Sequence, residues 1–402
     1  MPLSSPSFLK LLLFRRISSF SSPSTTFELF GQGSVYATSR RRTSSTSSSP
    51  SSSLFGPSFY TFPRYRSMDL PALTEDPSSW KGSSVLSVNQ ITPSGLELLF
   101  TVAQEMRTLV RTKGGDSRLQ HKLVSTIFYE ASTRTACSFQ AAMMRLGGKH
   151  IHVDGAHGNT SAAKKGETLE DTIMCLECYT DVTVLRHPVQ GSVGRVMEVA
   201  TKPILNAGDG VGEHPTQALL DVFTIYDELK LSAGPKALVV VLLGDLKHGR
   251  TVHSLAKLLA VAPIWKDKLV LRYCAPRGLE MPAYIMDFVN HVPNVQQETC
   301  ASLSEACANA DVMYVTRVQK ERFATDAEYE QVKGSYVVNN ETLGLCKKDM
   351  IVLHPLPRVD EIATEVDADP RAAYFRQMEN GMFVRMAILA LVLGKREPWT
   401  EN

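Results

Sequence analysis

Long apolar runs are missing from this chain. The two longest among its 402 residues, 237–243 and 386–393, fall far short of the about 20 residues that a membrane-spanning helix needs, so no membrane partner is expected. A disulfide framework is missing too: the seven cysteines (137, 175, 178, 274, 300, 307 and 346) are odd in number and scattered. That usage fits free thiols in a reducing compartment. Cys175 and Cys178 form one C-x-x-C with no second pair, which argues against a structural zinc site, and no metal is expected. The G-x-G-x-x-G of dinucleotide folds is also absent, so NAD is not expected, nor any other cofactor.

Acidic residues are nearly absent from one stretch. Residues 1–67 hold eight Lys/Arg and a single acid, Glu28, and 44–53 is close to pure serine. Such a segment cannot bury enough apolar surface to fold, so it is expected to be disordered. Two readings stay open for it. The short apolar stretch 9–14 before Arg15 and Arg16, in Ser/Arg-rich surroundings, suits an organelle transit peptide for a plastid or mitochondrion. Alternatively it is a plain low-complexity extension of a cytoplasmic protein, with Met68 a second possible start. The remainder, 68–402, carries 35 basic and 40 acidic residues. A net-negative body is a poor nucleic-acid binder, because that affinity comes largely from clustered Lys/Arg on phosphates.

What is present is an ordinary globular composition, 43% hydrophobic and 21% charged, over a length that suits two or three domains. Strand-like runs (123–129, 182–185, 204–205, then 237–243, 269–273, 312–316, 336–338 and 351–353) alternate with helical stretches. Two successive βα series predict an α/β protein with two doubly wound parallel-sheet domains joined by long helices. Their expected extents are 68–215 and 216–370, with a last helix, about 371–395, packing back on the first. Pro215 suits the first turn of the long helix that bridges them.

The most informative string is Ser132-Thr133-Arg134-Thr135, directly after the 123–129 run. Hydroxyls, a guanidinium and the free N–H groups of a helix N-terminus converge there, as in a phosphate site. An ordinary capped helix with an exposed arginine fits the same residues. Further polar strings fall at the ends of predicted strands, where open α/β sheets place ligands: 161–168, 185–188, 212–217, 249–251, 316–322 and 353–358.

Taken together these strings resemble the transcarbamoylase family, and its aspartate branch closely. The carbamoyl-phosphate signature reads FYEASTRTACSF at 128–139, and the resemblance covers about 83–395. Ala131, where bacterial members have proline, and the 367–387 stretch are similar to the transcarbamoylase portion of the animal multifunctional pyrimidine enzyme. With no room for that enzyme's other units, a stand-alone eukaryotic catalytic chain is expected. The resemblance implies transfer of the carbamoyl group of carbamoyl phosphate to L-aspartate, in a homotrimer with shared active sites.

It also implies roles for residues. Ser132, Thr133, Arg134 and Thr135 with Arg186 would hold the phosphate. Thr135, Arg186 and His214 would face the carbonyl oxygen, and Gln217 with the Pro355 and Leu356 backbone would accept from the carbamoyl NH2. Arg250, Arg317 and Gln319 would bind aspartate, for whose carboxylates a planar guanidinium fork is better suited than lysine. Ser161 and Lys165 match a loop that reaches into a neighbouring subunit's site, Lys165 touching both substrates. Glu130 and Arg322 would bridge the two domains on closure, and Asp360 would orient Gln319. Thr160 stands where plant members carry the Phe tied to uridine-nucleotide inhibition, so that regulation is not carried over. The rival readings are an ornithine-type enzyme, whose His-Cys-Leu-Pro and Ser-Met-Gly strings this chain lacks, and an inactive scaffold relative.

Overall fold

The computed structural model describes residues 70–397 apart from 159 and 235. The expectations for 1–67 lie outside the described residues. Among the described residues nine strands form two sheets, all parallel. The first holds β1 (Leu123–Phe128), β2 (Lys149–Asp154), β3 (Val182–His187) and β4 (Ile204–Asp209) in the order β2-β1-β3-β4. The second holds β5 (Lys236–Leu243), β6 (Trp265–Cys274), β7 (Val295–Thr299), β8 (Val312–Val315) and β9 (Ile351–Leu353) in the order β7-β6-β5-β8-β9. This is the α/β fold with two parallel sheets that the alternation of runs predicts.

Most strands are apolar. β8 and β9 are buried along their whole length, and β1 and β3 nearly so, as expected of parallel strands covered on both faces. Two edge strands, one in each sheet, differ. β2 (KHIHVD) and β7 (VQQET) are polar and largely open to solvent, so they carry no apolar run and were not expected. The 336–338 run is corrected: it forms no strand, and only Val338 makes an isolated bridge to Ile362. Three apolar residues after the Gly334-Ser335 turn suffice to bury Val338 but not to continue a ladder.

Three long helices tie the sheets together. Pro93–Lys113 starts on Thr92, whose hydroxyl accepts from the Gly95 N–H, and ends at Gly114 with φ 83°, the left-handed stop that glycine takes without strain. Pro215–Glu228 leads from the first sheet to the second, and Tyr374–Val392 packs against both of these helices and against Thr133–Arg145. Arg107 of the first helix joins all three, 2.6 Å from Asp227 and 2.9 Å from Asn380. One continuous apolar core runs through both sheets beneath these helices.

Candidate active site

In each sheet the chain reverses its direction of winding once, between β1 and β3 and between β5 and β8. Connections leave such a point on opposite faces, so a crevice opens beyond the strand ends. Both crevices here face one cleft of about 890 Å³. The first sheet contributes Glu130 to Thr135 after β1 and Arg186 at the end of β3. The second contributes Gly249 to Thr251 after β5, and Thr316, Arg317, Gln319 and Arg322 after β8. His214, Gln217 and the 354–357 segment complete the wall.

The cleft is strongly cationic. Six arginines line it (134, 186, 250, 317, 322 and 385), and Glu130 is the one acid among its lining residues. Glu130 divides itself between two of them: its Oε1 accepts from Arg186 Nη2 at 2.6 Å and from Arg250 Nη2 at 2.6 Å, and its Oε2 from Arg250 Nη1 at 3.1 Å. The two guanidiniums keep the Glu130 carboxyl below its ordinary range against the opposing effect of burial. Arg186 is driven down to about 10 by burial first, and then by the Arg250 charge. Gly208 makes room for the pair: a Cβ there would meet Arg186 Nη1 at 3.1 Å and Arg250 Cζ at 3.2 Å, and φ is +126°.

Ser132 sits at the N-cap position of the Thr133–Arg145 helix but makes no side-chain capping bond. Its hydroxyl is therefore not spent on the helix, unlike in an ordinary capped helix, while the helix still presents unpaired N–H groups to the cleft. Arg134 opens into the cleft, lowered by burial and by the nearby charge of Arg317, so the two cations approach one another across the crevice. Thr135 and His214 are buried. Burial holds His214 well below the usual histidine range, and the charges of Arg186, Arg250 and Arg385 add to it. The imidazole is therefore neutral near pH 7.

Four buried polar atoms of cleft residues have no hydrogen-bond partner among the described residues: Arg186 Nε, Arg322 Nε, Arg385 Nε and His214 Nδ1. Unsatisfied buried donors are costly and uncommon, and their concentration in one cationic cleft marks it as built for an anionic ligand. The 354–357 wall is firmly set. Leu356 N–H donates to His354 Nδ1 at 2.7 Å, so the Nε2 nitrogen carries the proton and donates to Glu361 at 2.7 Å.

The cleft thus gathers Ser132, Thr133, Arg134, Thr135, Arg186, His214, Gln217, Arg250, Arg317, Gln319, Pro355 and Leu356. Ser161 and Lys165 are not part of it; they lie exposed on the short Ser161–Lys165 helix. Arg322 and Glu130 both line the cleft, but Glu130 is engaged with Arg186 and Arg250. The backbone N–H of Gln319 donates to Asp245 at 3.5 Å, while Asp360 lines a neighbouring hollow. Cys137, Ser138, Met378 and Arg385 line the cleft without having been expected. Arg385 is 4% exposed, donates to Ser138 Oγ at 2.9 Å and lies 5.1 Å from the Phe139 ring centroid. Its signal was legible: it is the one charge within the 381–393 apolar stretch. Among the described residues all seven cysteines are free thiols, Cys175 and Cys178 exposed, no cluster suits a metal ion, and no helix is long and apolar enough to cross a membrane.

Comparison with known proteins agrees with this geometry. The carbamoyl-P binding domain of aspartate/ornithine carbamoyltransferases matches residues 83–227, and the Asp/Orn binding domain of the same family matches 236–392. The multifunctional protein pyr1-3 of Dictyostelium discoideum is 50% identical over 79% of this chain, which spans 14% of that relative. The chloroplastic aspartate carbamoyltransferase of Arabidopsis thaliana is 44% identical over 81% of each chain. Aspartate transcarbamoylase from Trypanosoma cruzi, solved with carbamoyl phosphate and aspartate, superposes with a TM-score of 0.73 at 42% identity, covering 81% of this chain and all of that one. The chain belongs to the aspartate/ornithine carbamoyltransferase family.

Proposed function

We propose that this chain is an aspartate carbamoyltransferase, converting carbamoyl phosphate and L-aspartate to N-carbamoyl-L-aspartate and phosphate, an early step of de novo pyrimidine biosynthesis. The observation that carries this reading is the six-arginine cleft with its unsatisfied buried donors, split between a helix N-terminus on one sheet and a pair of arginines on the other. Residues 68–215 with 371–395 bind carbamoyl phosphate, and 216–370 bind aspartate.

In this reading the phosphate sits on Ser132 to Thr135 and against Arg186. The α- and β-carboxylates of aspartate pair with Arg250 and Arg317, Gln319 standing beside them. The unprotonated amine attacks the carbamoyl carbon, forming the new C–N bond, and the carbonyl electrons move onto oxygen. Thr135, Arg186 and neutral His214 donate to that oxyanion; a preorganised donor of this kind is worth about 3–4 kcal/mol. Collapse breaks the bond from carbon to the phosphate oxygen, and phosphate leaves with the proton shed by the amine. Gln217 and the Pro355 and Leu356 backbone accept from the carbamoyl NH2 throughout.

Ser161 and Lys165, exposed and outside their own chain's cleft, serve the cleft of a neighbouring subunit in a homotrimer. Glu130 and Arg322 complete domain closure when substrates draw Arg250 onto aspartate. A colorimetric assay for carbamoyl aspartate, run with aspartate and with ornithine, tests the reading. Product from aspartate alone is expected, since Arg250 and Arg317 repel a cationic side chain. Product from ornithine would identify the other branch of the family, and no product an inactive relative.

A further inference from the structure

Beneath the cleft a carboxylate is fully buried. Asp221, two turns into the Pro215–Glu228 helix, is 0% exposed and receives three donors: Gln217 Nε2 at 2.8 Å and Gln377 Nε2 at 2.6 Å on Oδ1, and Tyr314 OH at 2.8 Å on Oδ2. Gln377 and Tyr314 are likewise 0% exposed. Burying a carboxylate is expensive; burial pushes Asp221 up to about 7, while its three donors and the charge of Arg385 oppose that rise. A purely structural contact between two helices and a strand would be met at least as well by apolar side chains.

What the carboxyl does follows from Oδ1, which takes both amides and accepts whether or not Oδ2 carries a proton. Gln217 must turn its NH2 inward to Asp221, and that leaves its carbonyl oxygen for the cleft wall it lines. The second amide is oriented independently. Gln377 Oε1 accepts the His354 N–H at 2.9 Å, a group that can only donate, so the Gln377 NH2 must face Asp221. His354 in turn accepts from Leu356 N–H at 2.7 Å, which sets the Pro355-Leu356 backbone.

We infer that Asp221 is a positioning residue for all the acceptors assigned above to the carbamoyl NH2, and thereby sets the preference for a substrate bearing an amide over one bearing a methyl in its place. The inference rests on the proposed role of Gln217, Pro355 and Leu356. Every polar group facing the carboxylate takes part: Gln217 on its own helix, Gln377 and Arg385 on Tyr374–Val392, and Tyr314 on β8. Tyr314 stands two residues before Thr316 and three before Arg317, so one carboxylate joins the carbamoyl acceptors to the strand that leads into a proposed aspartate-binding arginine.

The test uses the full chain and two stable probes, phosphonoacetamide and acetonylphosphonate, which differ only in NH2 against CH3. Wild type is expected to bind the amide more tightly. In Asp221→Asn the side chain offers a donor of its own, the Gln217 amide loses its fixed sense, and the preference is expected to fall about tenfold. The affinity for acetonylphosphonate should stay within about threefold, a split that general loosening of the fold would not produce. An unchanged ratio in folded Asp221→Asn overturns the inference. Should that variant fail to fold, Tyr314→Phe is read instead, with a drop of about threefold expected and an unchanged ratio again overturning it. Gln217→Met separates the two layers: if it keeps the wild-type ratio, the underlying assignment of Gln217 fails; if it loses the ratio and Asp221→Asn does not, only the role of Asp221 fails.

Discussion

Glu130 and Arg250 meet at 2.6 Å although they follow strands of different sheets. The same carboxylate oxygen takes Arg186 at 2.6 Å, so the arginine proposed for phosphate and the one proposed for aspartate share a single counter-ion. Without it two guanidiniums would face each other in a half-dry crevice. In the proposed reaction, an aspartate carboxylate taking Arg250 would release part of Glu130.

Replacing Glu130 by Gln should therefore act on both halves of the cleft. Loss of charge-assisted hydrogen bonds of this kind costs about 1.5–3 kcal/mol, and urea unfolding of the variant should show a loss of that order. Its kcat/KM for aspartate should fall by about tenfold or more, because Arg250 is no longer aimed. Stability and kinetics equal to wild type would remove Glu130 from the site.

Arg134→Ala and Lys165→Ala should each be nearly inactive alone. Refolded together they should regain activity, since some subunit boundaries would join an intact Lys165 loop to an intact Arg134 cleft. Mass measurement of the native particle checks the trimer at the same time. No recovery in verified mixed trimers would show that each chain's site is its own.

N-(phosphonacetyl)-L-aspartate carries a phosphonate for Ser132 to Thr135 and two carboxylates for Arg250 and Arg317. At a hundredfold excess over its Kd it should stabilise the folded chain by about 2.7 kcal/mol, read as a rise in Tm. In Arg317→Ala the rise should shrink to less than half at the same concentration. Equal shifts would mean that the carboxylates bind elsewhere.

The buried, neutral His214 predicts an acid-sensitive fold. Its folded-state pKa lies well below the ordinary value of about 6.5, so as pH falls through 6.5 the unfolded chain takes up a proton that the folded chain refuses. Stability attributable to this group is full above pH 7 and declines with acid, by at most about 1.4 kcal/mol per pH unit. His214→Gln should flatten that part of the decline between pH 7 and 5.5 in thermal melts. The kcat profile over pH 6–9 should show no ionisation that His214→Gln abolishes.

Much of this was legible before any coordinates. The seven apolar residues at 237–243 suit a buried parallel strand, and the strand they form is buried from Val240 to Leu243, while the Ser-Thr-Arg-Thr string opens a helix at the cleft. The edge strands β2 and β7 were not legible, because half-solvated strands need no apolar run and are selected by their neighbours' free edges. Arg385 was overlooked because it lies far along the chain from the other cleft residues, and only the packing of Tyr374–Val392 against Thr133–Arg145 brings it to Ser138. The pairing of Glu130 with Arg250 was hidden for the same reason: sequence strings show which groups are present at strand ends but not which of several arginines a single carboxylate will take.

The Tyr374–Val392 helix closes the core under the first sheet, although that sheet's own strands end at Asp209. During synthesis the first sheet must therefore wait for a helix made much later, at ribosomal rates of about 5–20 residues per second, with the faces of Pro93–Lys113 and Thr133–Arg145 uncovered meanwhile. The nascent first half is therefore the part expected to need chaperone cover, a protection assay on stalled chains ending before residue 374 being the direct way to see it.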